Sequence, residues 1–190
     1  MGLLRRLGYR KKDVTMGTVP TVPHTLLQRQ LDIAWSFATA FVIDKVDPIA
    51  LWEPAENVIT VHQTAEGWRA DWPDEENPPL PEATIGWLLW HIEWWWTNTV
   101  RAVDGLPGTA PDSFRSTGST QGLLPIKTRW DEILATADLD REITGLMPTP
   151  QPLSYIAVWV NFELTKNLAE INQLATRHSN LSAPAPAPRS

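Results

Sequence analysis

One histidine stands inside an unusually aromatic run, Thr84-Ile-Gly-Trp-Leu-Leu-Trp-His-Ile-Glu-Trp-Trp-Trp96, which holds five of the chain's 11 Trp. An imidazole in such a setting can ligate a metal, move a proton or hold a hydrogen bond across a core. Its candidate partners lie far along the chain, in Asn161-Phe-Glu-Leu-Thr-Lys-Asn-Leu-Ala-Glu-Ile171. Glu163 and Asn167 are four apart, so on a helix they share a face one turn apart. Lys166 and Glu170 are expected to lean toward solvent. Three inward polar side chains from two helices, His91, Glu163 and Asn167, make the layout of a metal site built inside a helical bundle. With a divalent ion, that layout would lower the pKa of a bound thiol or water and make a nucleophile at neutral pH. His91 and Glu163 are the candidate catalytic residues, Glu163 as a general base if desolvation raises its pKa. Trp87, Trp94 and Trp95 are candidate walls of a ligand pocket around His91, together with Glu163 and Asn167.

A second reading needs no metal. A buried imidazole hydrogen-bonded to Glu163 or Asn167 is satisfied and locks one helix to another. One His, one carboxylate and one amide are also a poor donor set for zinc or nickel; they suit harder cations better and are too few to hold any ion tightly. No bound cofactor is therefore expected. No Gly-rich phosphate loop, Ser-His-Asp order or zinc-finger spacing is present.

These side chains need helices to position them. The Trp run has no Pro and carries Gly86 in its first turn, so the pattern predicts a helix over about 84–103, ended by Asp104-Gly-Leu-Pro-Gly108. Its apolar positions cover most of the circumference, with Glu93 and Thr97 as the polar strip, so it is expected to be buried nearly all round. Leu27, Leu31, Ala34, Ala38, Phe41 and Val42 repeat at helical spacing and predict a first helix from about His24 to Val46. A third helix is expected from about Thr120 to Ala137, with Pro125 near its first turn. A fourth is expected from about Leu153 to Arg177. Between the first two, Val58–Val61 and Trp68–Trp72 predict a small β-hairpin around the His62–Gly67 turn. Pro73–Pro81 is acidic and Pro-rich and reads as loop, and so irregular a stretch between helices is expected to be functional or to pack as a lid. The resulting class is all-α: a four-helix bundle with long crossover connections and one hairpin.

Composition sets the remaining bounds. Apolar residues make up 43% and charged residues 20%, as in ordinary globular domains. Cys is absent, which excludes disulfides, thiolate metal ligands and a Cys nucleophile and suits a cytoplasmic protein. The net charge is −6, with +4 concentrated in residues 1–15. An acidic body argues against nucleic acid as a partner. No run reaches the length of a membrane-spanning helix. Residues 1–23 are expected to form a flexible basic segment, in which Met16-Gly-Thr-Val-Pro offers a second start. Residues 24–178 are expected to form the bundle, and the Ala/Pro-rich residues 179–190 a disordered tail. Adjacent Trp94, Trp95 and Trp96 point in three directions, so at least one is expected at a pocket mouth or in a homodimer interface.

Across residues 24–178 the chain resembles the DinB/YfiT-like superfamily. The resemblance rests on Ile85-Gly-Trp-Leu-Leu-Trp-His91, on Glu163-Leu-Thr-Lys-Asn-Leu-Ala-Glu-Ile171, and on Leu51-Trp-Glu-Pro54 with its following hairpin, as in actinobacterial members. It implies a four-helix bundle related to thiol-dependent transferases and isomerases that use mycothiol or bacillithiol. In metal-binding members the second helix gives one His and the fourth a His-x-x-x-His pair. His91 matches the first, while Glu163 and Asn167 stand where the pair is expected. The resemblance thus implies an inherited pocket with a degenerate triad. The expected role is non-metal binding of a small molecule, or dimerisation; the alternative is a metal-dependent thiol S-transferase or hydrolase. His62 is a further candidate to approach His91 from the hairpin, whereas His24 and His178 are expected at the surface.

Overall fold

Thr84 starts the central helix. Its side chain accepts a hydrogen bond from the Trp87 amide at 3.2 Å, satisfying one of the amides that a helix N-terminus leaves open. Helix α2 then runs Ile85–Val103 and closes at Gly105, which has a φ of +72°, a conformation glycine adopts without steric cost. The computed structural model describes residues 24–72 and 81–183. The expectations for the basic segment 1–23, for most of the Pro-rich loop (73–80) and for residues 184–190 of the tail lie outside these residues.

The described chain is mostly helical, with four α-helices and three two-stranded sheets. Helix α1 spans His24–Phe41, α3 Leu123–Thr136 and α4 Leu153–Ser182. Helices α1 and α2 each pack on both α3 and α4. The shared core takes Leu27, Leu31, Ala34 and Ala38 from α1, Trp130, Ile133 and Leu134 from α3, and Ile156, Val160, Leu164, Leu168 and Ile171 from α4. These positions follow the 3.6-residue period that puts one face of each helix inside. Helix α2 is buried nearly all round, as its composition requires. Asn161 of α4 donates to the Leu27 carbonyl at 3.0 Å and pins α4 to α1. No helix among the described residues is long and apolar enough to cross a membrane.

Several boundaries differ from the sequence reading. Helix α1 stops at Phe41 rather than Val46, because Asp44 takes a left-handed φ of +60° and its amide donates to Thr120 Oγ1 at 3.0 Å. Asp47 then accepts from both the amide and the hydroxyl of Thr120. The end of α1 is thus set by a partner 76 residues away. Helix α4 continues past Arg177 to Ser182, so residues 179–182 of the expected tail are helical. Its first amides donate to the carbonyls of Arg141 and Leu139.

The hairpin forms in a shifted register. Strand β2 (Val61–Thr64) pairs antiparallel with β3 (Gly67–Ala70), and the turn is Ala65-Glu66. Strand β1 (Val58–Ile59) instead pairs in parallel with β4 (Glu82–Ala83), just before α2. Thr60 separates the two pairings: its amide donates to the Asp71 carboxylate at 3.1 Å. A second antiparallel pair, β5 (Glu142–Ile143) with β6 (Gln151–Pro152), lies in the connection before α4.

Candidate functional site

A cavity of about 540 Å³ opens between α2 and α4, beside the β1–β4 pair. From α2 it takes Trp87, His91 and Trp95; from α4 it takes Trp159, Glu163, Lys166, Asn167 and Glu170. At one end Arg177 donates to the Glu82 carboxylate and to the Pro54 carbonyl, each at 2.8 Å, tying α4 to β4 and to the chain before β1. The helical period explains the α2 wall: residues 87, 91 and 95 are spaced by four and fall on one stripe. Residues 159, 163 and 167 do the same on α4.

Each wall residue is oriented by a specific contact. Trp87 donates its indole N–H to the Asp71 carbonyl at 2.8 Å, and its ring stacks on His91 at 4.9 Å and 11°. Trp95 donates to Oδ1 of Asn167 at 3.3 Å and meets Trp159 edge-on at 5.3 Å. Offset and edge-to-face pairs of this kind hold aromatic rings rigidly. Glu163 is 3% exposed. Its Oε2 takes the Lys166 ammonium at 2.6 Å, and its buried Oε1 has no hydrogen-bond partner among the described residues. Glu170 sits farther along the wall; partial desolvation raises its pKa, and the Lys166 charge partly offsets this.

Five of the six expected pocket residues therefore meet: His91, Trp87, Trp95, Glu163 and Asn167. Trp94 does not line the cavity. It turns away, donates to the Thr109 carbonyl at 2.8 Å and packs on Trp72 and Trp90. Among the described residues Oε2 of Glu163 is engaged by Lys166 and Oδ1 of Asn167 by Trp95. Lys166 and Glu170 border the cavity and are also open to solvent, as expected: Glu170 is exposed and the Lys166 side chain is 38% exposed. His62 pairs with Asp71 at 2.8 Å on an exposed face and does not line the cavity. His24 contacts the Leu134 carbonyl at 2.7 Å, and the His178 ring packs against Trp52. The cavity residues missed in the sequence, chiefly Trp159, carried a signal: Trp159 lies four residues before Glu163.

The triad positions do not fit a tightly held divalent ion. Zinc and nickel sites need three or four strong donors, and the described residues hold no cluster of three His, Cys, Asp or Glu side chains. Asn167 offers a carbonyl already engaged by an indole, and Glu163 a carboxylate already engaged by an ammonium.

Glu93 is the second unexpected carboxyl. Instead of forming a solvent-facing strip it is 8% exposed and accepts from the amide and hydroxyl of Thr117 at 3.3 Å. Burial pushes its pKa from 4.5 up to about 7, against the lowering effect of the Thr117 bonds. The site has no opening to the cavity and belongs to the packing of the 114–122 segment on α2. No family model matches the chain, and neither a curated protein nor a solved structure matches it.

Proposed function

We propose that the four helices form a bundle of the DinB/YfiT type, and that its central pocket binds a small, partly apolar molecule without a metal ion. The observation that carries this reading is the indole-walled cavity around His91, in which Trp87, Trp95 and Trp159 supply the apolar walls and Glu163 a buried polar group. A pocket of this size with a few convergent polar groups matches the general form of small-molecule sites. The pairwise packing of α1 and α2 on α3 and α4 supports the bundle assignment. The degenerate triad favours a non-catalytic binding protein, and the absence of cysteine suits a cytoplasmic one. The test is intrinsic tryptophan fluorescence of the full chain against a broad metabolite set, in which binding shifts the Trp emission. Silence across the set overturns the reading.

A metal-dependent thiol S-transferase or hydrolase is the competing reading, supported by His91 and Glu163 bordering one cavity. Near-stoichiometric zinc, nickel or iron in protein purified without chelator, lost on His91→Ala, would establish it. Homodimerisation is also proposed, but not through tryptophan. None of the 11 Trp is exposed, whereas Leu26 and Ile33 of α1 and Tyr155, Val158 and Phe162 of α4 are exposed apolar side chains on two helices that pack together. Light scattering showing a monomer removes that part of the proposal.

A further inference from the structure

The cavity is not neutral toward the charge of its ligand. Its described lining carries three carboxylates, Glu82, Glu163 and Glu170, against two cations, Lys166 and Arg177. Both cations are already engaged: Arg177 holds Glu82 and the Pro54 carbonyl, and Lys166 holds Glu163. An entering anion would meet cations that are already paired, with the neutral indole N–H of Trp159 as the open donor among the described residues. An entering cation meets a different situation, because Oε1 of Glu163 is buried and without a hydrogen-bond partner among the described residues. A carboxylate has about four lone-pair sites, and Lys166 uses one oxygen. Leaving a buried charged acceptor unmet is costly, which a donor on the ligand relieves. The adjoining walls are indoles, whose faces attract cations and whose area covers a carbon body.

Resting on the small-molecule reading above, we propose that this cavity takes an organic cation, an alkylammonium or amidinium ion. Its charged head donates to Oε1 of Glu163, and its apolar body lies against Trp87, Trp95 and Trp159. A bare metal ion does not suit the same place, since the donors around it are too few.

Three probes of one shape and different charge test this on the full chain: benzylammonium, benzyl alcohol and benzoate, each titrated against tryptophan fluorescence and the indole N–H resonances. Benzylammonium is expected to bind about tenfold or more tighter than benzyl alcohol, the fold-change that one charged hydrogen bond supplies. Benzoate is expected to bind weakest. Glu163→Gln should abolish the preference for benzylammonium over benzyl alcohol. Lys166→Met should strengthen benzylammonium binding, which a merely structural role for Lys166 would not produce. Equal affinity for all three probes, or a preference for benzoate, overturns the cation assignment but leaves the small-molecule pocket standing. If none of the three perturbs an indole, both fail. The comparison among probes on the unmodified chain decides the matter even if the Glu163 variant does not fold.

Discussion

The Lys166 ammonium lies 2.6 Å from Oε2 of Glu163, one turn back along α4, and gives that buried carboxylate its only ion pair among the described residues. The lysine is 38% exposed while its partner is 4% exposed, so the two ends of the pair are not equivalent. Removing the ammonium leaves a charge inside the protein; removing the carboxylate leaves a lysine free to reach water. Lys166→Ala is therefore expected to cost about 1–2 kcal/mol, discounted for the lysine's exposure. Glu163→Gln should cost less, because the carboxamide carries no charge to strand. Urea denaturation of the two single variants and the double variant checks this: the double should cost less than the sum of the singles. Strict additivity would mean that the pair contributes nothing.

Asn167 leads to a prediction about metal. Its Oδ1 is bound by the Trp95 indole, and a neutral carboxamide is a weak ligand for zinc. Protein purified without chelator is expected to hold well under one equivalent of zinc, nickel or iron. Glu163→His together with Asn167→His rebuilds a three-imidazole set with His91 on one cavity, and this double variant should acquire about one equivalent. Elemental analysis of both proteins gives the answer. A full equivalent in the unmodified chain would reverse the order of the two functional readings.

How far these residues were legible in the sequence differs from one to the next. Helix α2 and the stripes that carry His91, Glu163 and Asn167 follow from periodicity, because spacing by four is a local property; that the two stripes line one cavity is a tertiary fact that periodicity does not supply. Trp94 shows where this fails. It is three residues from His91 and on a neighbouring stripe, so only the Thr109 carbonyl, supplied by a loop 15 residues away, decides that it turns outward from the cavity. Glu93 fails for the same reason. A charge on a helix reads as solvent-facing until the chain that covers it is known, here the Thr117 segment. The hairpin shift has a further cause. Val58–Val61 has high strand propensity throughout, but register is decided by the partner strand, and Thr60 hands the chain from one partner to another.

Glu93 predicts a stability that declines as pH rises. Its folded pKa is about 7 and its ordinary value 4.5, so between these pH values the folded state binds more protons than the unfolded state. Stability must then fall as pH increases through that window and level off above it. The full effect is about 3 kcal/mol at most, of which a fraction suffices to move the melting temperature by several degrees. Glu93→Gln should flatten the dependence and make the variant more stable than the parent at pH 8. Thermal melts at pH 5, 6, 7 and 8 measure this. A parent curve that is flat or rises from pH 5 to 7 would show that Glu93 does not titrate in this range.

Gly118 and Gly145 offer a matched pair for the packing of the segment that covers Glu93. Both have left-handed backbones, with φ of +73° and +80°. A side chain at either is strained by about 1 kcal/mol. Their surroundings differ. A Cβ at Gly118 would lie 2.0 Å from the Trp68 ring, whereas one at Gly145 would meet nothing within 4 Å. The Trp68 ring cannot simply retreat, because the Trp68 backbone exchanges two hydrogen bonds with Ser116, at 3.1 and 3.0 Å. Overpacking of that kind adds about 1–3 kcal/mol. Gly118→Ala should therefore destabilise by about 2–4 kcal/mol and Gly145→Ala by about 1 kcal/mol. The loss at Gly118 should also loosen the Thr117 bonds to Glu93, two atoms of which hold the carboxyl from this same segment. Chemical denaturation of both variants measures the difference, and equal losses would mean that Trp68 moves aside without cost.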